Sequence, residues 1–307
     1  MSAPRRVVAL PTAGTESLRT YDVTSGDGTR LRAWTNDADG PTVLLCNGLG
    51  TNPYAWPALL RADCGVRVLS WNHRGVGGSD RPADPSRVGV DAFVEDAVAV
   101  LDDAGVTSCP VLGWSVGVNT AFELAVHHPE RVTGLFSVAG VPGGTFSSMG
   151  APLGIPRFAR RPIGLGVATA LEHAGWALTP LTRRLPVGPW AATLLRHSGF
   201  LLPSADTDVV RRAVREFLTT PVDWYMHLAR AAARHERVRL SQVTVPTVFV
   251  GGRFDILASA RDMRSAAHRM PDSHYVELSG SHFLQLEHPD EVHRELVAAL
   301  PHLGASA

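Results

Sequence analysis

A serine hydroxyl is a weak nucleophile at neutral pH. It becomes useful when an imidazole can take its proton and a carboxylate orients that imidazole. Ser115 stands in a setting built for this, at the middle of Gly113-Trp114-Ser115-Val116-Gly117. The apolar run Cys109 to Leu112 before it reads as a buried strand. The run of apolar and small residues from Val118 to Val126 after it reads as a helix that stops before Pro129. Gly113 and Gly117 carry no Cβ, so strand and helix can approach closely at a sharp turn. The turn exposes Ser115 and sets a helix N-terminus behind it, with the Val116 N–H aimed where negative charge would develop. An inert serine in a glycine-bounded turn is the plain alternative.

Thirteen histidines compete to be the base. His127, His128 and His293 fall within helical patterns and His288 beside a helix start. His173, His197, His227 and His235 belong to a long insertion. His282 sits on a loop just past the last strand-like run, next to Gly280 and Phe283, from which its ring can reach the sheet centre. For the acid, Asp255 follows a strand and the pair Gly251-Gly252. Asp262 falls in the next helix and Glu277 inside a strand, so both are worse placed. No Asp or Glu occurs from 131 to 171, which removes an acid after the strand that follows the elbow. A second oxyanion donor is expected from the loop Asn47-Gly48-Leu49-Gly50, as the Leu49 N–H.

These residues need a sheet to hold them. Two short strands, Arg19 to Ser25 and Arg30 to Thr35, flank the hairpin signal at Asp27-Gly28. Strands follow at 42–46, 66–71, 109–112, 132–139, 247–250 and 274–278. Helices are expected at 53–62 with Asn52 as cap, from a cap at Asp91 to Ala104 with Gly105 as the stop, at about 259–269, and from Pro289. Strands alternating with helices imply right-handed crossovers and a mostly parallel α/β sheet with helices on both faces. Reactive groups then gather at the C-terminal strand ends, where Asn47 to Gly50, Ser115, Asp255 and His282 all fall.

Residues 143–240 break the alternation. Their last part carries two amphipathic helices, about 206–218 and 223–237. The expected organisation is a core of 1–142 and 241–307 with a helical cap, 143–240, over the strand ends. Between 143 and 205 six arginines (157, 160, 161, 183, 184 and 196) face the single acid Glu172. That bias could steer anionic substrates or a lipid surface, or the arginines could be solvated or paired elsewhere.

Composition narrows the classes. Over 307 residues the formal net charge is zero, so no strong field favours nucleic acid. Every basic residue is arginine, a coding bias. Cys46, Cys64 and Cys109 are odd in number and lack metal-ligand spacing; Cys46 and Cys109 fall in apolar runs and read as buried thiols, which points to a reducing, cytoplasmic setting. No run approaches the ~20 apolar residues of a membrane span, and the Val7 to Leu10 run is too short for a signal peptide. There is no His-Glu-x-x-His, no Cys-x-x-Cys and no Walker lysine, so neither metal nor cofactor is expected. The glycines of Gly75-Val76-Gly77-Gly78 read as a structural loop, because no helix starts directly after them.

Taken together, the chain resembles the α/β-hydrolase superfamily over nearly its whole length. The resemblance rests on Asn47 to Gly50, Asn72-His73-Arg74-Gly75-Val76-Gly77-Gly78-Ser79, the elbow at 113–117, Asp255, and Gly280-Ser281-His282 with Glu287-His288-Pro289. The order Ser, Asp, His is that of the superfamily. Asn47 and Asn72 stand where the family usually has His and Asp, which leaves the backbone donors but changes local hydrogen bonding. The resemblance implies a cofactor-free hydrolase, with Ser115, Asp255 and His282 as the triad. Epoxide hydrolases and haloalkane dehalogenases of the family place Asp at the nucleophile position, so Ser115 argues against both. Trp114 resembles the cofactor-free haloperoxidase and perhydrolase branch, and the Asn-Gly-Leu-Gly loop loosely resembles enol-lactone hydrolases. The expectation is hydrolysis of a small carboxylic ester with an apolar acyl part. Lactone, thioester or C–C cleavage, perhydrolysis, and a binder without turnover stand as alternatives.

Overall fold

In a computed structural model the described residues are 16–305, without 144, 145, 152, 199 and 237; the side chains of Pro189 and Ala192 are also left out. The strands are β1 (Arg19–Thr24), β2 (Arg30–Thr35), β3 (Thr42–Cys46), β4 (Arg67–Trp71), β5 (Cys109–Trp114), β6 (Val132–Val138), β7 (Thr247–Gly252) and β8 (Ser273–Leu278). They form one sheet in the order β1-β2-β4-β3-β5-β6-β7-β8. Pairing is antiparallel at β1–β2 and β2–β4 and parallel from β4 through β8.

The central strands are apolar without a break because both faces are covered. Leu44, Val111, Leu135 and Phe249 face helices α1 (Val90–Asp103), α2 (Gly117–His127) and α7 (Ala260–Ala267), against Ala97, Leu101, Phe122 and Met263. Their neighbours Leu45, Leu112, Phe136 and Val250 face the other way, onto Trp56, Leu59 and the closing helix, where Val292, Leu296 and Leu300 pack. The closing helix, Pro289–Ala299, follows a short helix at Leu284–Glu287. Cys46, Cys64 and Cys109 are buried free thiols. Burial raises the pKa of Cys46 and of Cys109, the latter to about 11.

Local chemistry moves several expected boundaries. The helix expected at 53–62 is one 3₁₀ turn, Pro53–Ala55. Pro57 lacks an N–H and disfavours helical backbone at Trp56, so the turn cannot propagate. Asn52 still caps it, accepting the Tyr54 N–H at 3.1 Å. Helix α1 starts at Val90 behind Gly89 (φ 146°), and Asp91 lies in its first turn rather than at the cap. Of the first seventeen residues, Glu16 and Ser17 are among those described. Both are tied down, Glu16 by a bridge to Arg61 and Ser17 by its N–H on Leu60 O at 2.7 Å.

The chain from β6 to β7 folds as helices. Helix α3 (Arg157–Arg184) holds Pro162 and Pro180 within its length. Then come α4 (Pro189–Arg196), α5 (Thr207–Phe217) and α6 (Val222–Ala232). Asp206 caps α5 by accepting the N–H groups of Asp208 and Val209. Helix α6 ends at Ala232, short of the expected 237, a residue outside those described. The helices meet the strand ends through an apolar cluster that joins Trp224 and Leu228 to Leu49, Val76 and Phe93.

Trp224 Nε1 donates to Arg74 O at 2.8 Å. Arg74, fully buried, is held from the other side by Asp96 at 2.7 Å, by Asp27 at 2.5 Å and by Ser25. The glycine loop that carries it is structural, as expected, with Asn72 Nδ2 donating to Gly77 O at 2.7 Å.

Candidate active site

The elbow forms because β5 must turn into α2 with almost no linker. Ser115 takes φ +56°, a left-handed conformation that a non-glycine residue adopts only when its surroundings force it. Those surroundings are crowded. A Cβ on Gly113 would meet Val118 Cα at 2.8 Å, and one on Gly117 would overlap the carbonyl oxygens of Cys46 and Asn47. The Ser115 N–H is fixed on Val138 O at 3.1 Å.

The three residues expected to act together do meet. His282 Nε2 lies 2.8 Å from Ser115 Oγ, and His282 Nδ1 lies 2.9 Å from Asp255 Oδ2. Asp255 is fully buried after β7; its Oδ1 accepts the N–H groups of Leu257 and Ala258, both at 2.8 Å. With one oxygen on two amides and the other on the imidazole, the carboxylate has a single orientation. The rival acids are engaged elsewhere: Glu277 with Arg264 and Asp262 with Ser148.

In the loop expected to supply an oxyanion donor, Asn47 Oδ1 accepts the Gly48 N–H at 3.0 Å and the Trp56 Nε1–H at 3.1 Å. This is how asparagine serves at a position where the resemblance implies histidine. Among the described residues no hydrogen bond takes the N–H of Leu49 or of Val116, and both residues line the cavity beside Ser115.

Two contacts that hold the histidine loop were invisible to spacing. Trp114 Nε1 donates to His282 O at 3.1 Å, and its ring packs edge-on against Trp56 and Phe283. The buried Glu287 carboxylate accepts the Ser281 N–H at 2.7 Å, Ser281 Oγ at 2.5 Å and the Leu202 N–H at 2.7 Å. It thereby ties the loop of His282 to the segment between α4 and α5. The only sequence cue was Glu287 itself, an acid six residues after Ser281 in the stretch that carried the resemblance.

Above Ser115 lies a cavity of about 630 Å³, within the range that takes a drug-sized ligand. Its walls come from Leu49, Val116, Phe146, Trp190, Leu194, Phe217 and Tyr225, among others. No Arg, Asp or Glu lines it among the described residues. Burial pushes the Tyr225 phenol up to about 12, so it stays protonated. Among the described residues no cluster of His, Cys, Asp and Glu could hold a metal ion.

Among the described residues, an eight-stranded sheet with a Gly-x-Ser-x-Gly turn after β5, an acid after β7 and a histidine after β8 defines a class of proteins. The sequence profile of the alpha/beta hydrolase fold matches residues 41–289, and the chain belongs to that family. Among curated relatives, a protein described as carbamate hydrolase RutD from Caulobacter segnis is 36% identical over 99 residues. That stretch covers 32% of this chain and 37% of the relative. Epoxide hydrolase B of Mycobacterium tuberculosis is 34% identical over 142 residues, 44% of this chain and 39% of that one. These matches thus span less than half of either relative's length. An esterase from Thermogutta terrifontis superposes with a TM-score of 0.72 over 93% of this chain and 99% of that one, at 19% identity, a likeness of fold.

Proposed function

We propose that the chain is a serine hydrolase of uncharged carboxylic esters with an apolar acyl part. One observation carries this reading. Ser115 Oγ, His282 and the buried Asp255 form an unbroken hydrogen-bond relay on the floor of an apolar cavity that holds no counter-charge.

In this reading Ser115 Oγ attacks the carbonyl carbon as His282 Nε2 takes its proton. The C=O electron pair moves onto oxygen, where the Leu49 and Val116 N–H groups receive the charge. Collapse expels the alkoxide, which takes the proton from His282, and leaves an acyl-serine. Water, deprotonated by the same nitrogen, attacks the acyl-serine and releases the acid and free Ser115. Asp255 keeps Nδ1 protonated and stabilises the imidazolium. Residues 143–240 act as the cap that roofs this cavity, over a core of 1–142 and 241–307. A carboxylated substrate would bring its charge among apolar walls without a partner, which disfavours it.

The likeness to epoxide hydrolase B does not carry epoxide chemistry here, because Ser115 stands where the family's epoxide hydrolases place a nucleophilic aspartate. Lactones are cyclic esters and fall within the proposal. Trp114 gives perhydrolysis no support, since it is buried and spends its N–H on His282 O.

The test is a series of chromogenic esters, short to long and with or without a terminal carboxylate, on wild type and Ser115→Ala. Turnover favouring uncharged chains, lost by about 10⁴-fold or more in the variant, is the expected result. Labelling of Ser115 by a phosphonate without ester turnover would move the substrate to another acyl class. Absence of labelling would overturn the hydrolase reading in favour of a binder.

A further inference from the structure

Helix α3 is built inside out. Its buried residues are Gly164, Ala168 and Gly175, while Phe158, Ile163, Val167, Trp176 and Leu181 face outward, Phe158 at 83% and Trp176 at 78% exposure. The small stripe is what lets the helix lie close to α6, since a Cβ on Gly175 would collide with the Asp223 backbone. That explains the glycines and alanine inside. It does not explain two aromatic rings left in water, where apolar burial would stabilise them.

The charges follow a matching pattern. Arg157, Arg160 and Arg161 stand at one end of α3, and Arg183 and Arg184 at the other. Between them the side chains from 162 to 182 include one acid, Glu172. That acid is turned towards α6, paired with Arg230 and His227. Among the described residues the hydrogen bonds of these arginines go to carbonyl oxygens: Arg160 to Ile155, Arg161 to Ala233 and Arg183 to Thr219. Their positive charge is therefore uncompensated by a carboxylate among the described residues. The exposed apolar run continues past the helix through Leu185 to Trp190 and Leu194, which also line the cavity.

We propose that α3 is a membrane-surface seat that lies flat on an anionic lipid bilayer, with its aromatic side chains in the interface and its two arginine clusters on the headgroups. At 28 residues the helix is about 42 Å long. Among the described residues no helix is long and apolar enough to cross a membrane, so the contact is in-plane. A second copy of the chain is the other candidate for such a face. A two-fold contact would set it against itself and bring arginine onto arginine, with no acid on the face to relieve the repulsion. A bilayer bearing anionic headgroups meets both the apolar strip and the positive ends.

The experiment is co-sedimentation of the full chain with phosphatidylcholine vesicles, with and without phosphatidylglycerol. No substrate is involved, so the result is independent of the ester reading. Binding should require phosphatidylglycerol and weaken with salt. Arg183→Gln with Arg184→Gln should weaken it about thirtyfold. Phe158→Ser with Trp176→Ser should abolish it. Both variants remove exposed groups outside the proposed active site, so hydrolysis of a short soluble ester should not change. No binding to the anionic vesicles, or equal binding by the variants, would overturn the proposal. So would a wild-type dimer that the Phe158/Trp176 variant converts to monomer.

Discussion

At the scale of single residues, the relay depends on groups with one allowed arrangement. Asp255→Asn keeps the shape and the two backbone contacts but offers His282 the wrong tautomer. Steady-state kinetics should show kcat lower by about 10⁴-fold with the fold intact by circular dichroism. Gly117→Ala acts differently, because its methyl would sit inside the carbonyls of Cys46 and Asn47. The expected outcome is loss of soluble, folded protein. Ser115, Asp255 and His282 were legible in the sequence because each follows a strand-like run at a glycine and the competing acids fall inside elements. The Trp114–His282 contact was not. It joins side chain to backbone across 168 positions, and no spacing rule encodes such a pair.

Elements were legible where periodicity and punctuation agreed, as in the parallel strands, α2 with its following Pro129, and α5 with its Asp206 cap. They were misread where one residue outweighed the pattern. Pro57 ended a helix that its neighbours favoured. No span is predicted for α3, because Pro162 and Pro180 are breaks by local propensity and its packing along α6 leaves no local mark. The joint between elements that matters most for the site is Glu287, whose carboxylate accepts three hydrogen bonds in a buried place. Glu287→Gln puts an amide donor among donors. Denaturant melts should show a loss of about 2 kcal/mol. If the residue positions His282, kcat should fall while KM changes little, whereas a merely structural role would leave kcat of the folded fraction unchanged.

For the molecule as a whole, stability rests on polar groups that the core has closed over. Asp96→Ala would leave the fully buried Arg74 with Asp27 at 2.5 Å and Glu95 at 3.7 Å but without its closest buried partner, and unfolding free energy should drop by about 3 kcal/mol. His73, packed edge-on against Phe93, has its pKa pushed down by burial to about 4 from 6.5. Between these values the unfolded chain takes up a proton that the folded chain refuses. Stability from this group is therefore complete above about pH 6.5 and is lost as pH falls towards 4. The gap between denaturation midpoints measured at pH 7.5 and 5 should shrink in His73→Phe, which keeps a ring and removes this titration, while the share of His293, also held down by burial, remains. The three cysteines supply the molecule with its own clock. A thiol at the centre of a sheet reacts with a reagent only when that sheet parts. Cys46 ends β3 and Cys109 begins β5, two paired strands in the middle of the sheet, while Cys64 lies in the turn before β4. Their modification rates, followed one by one, separate fraying of a loop from rupture of the sheet centre without any introduced probe.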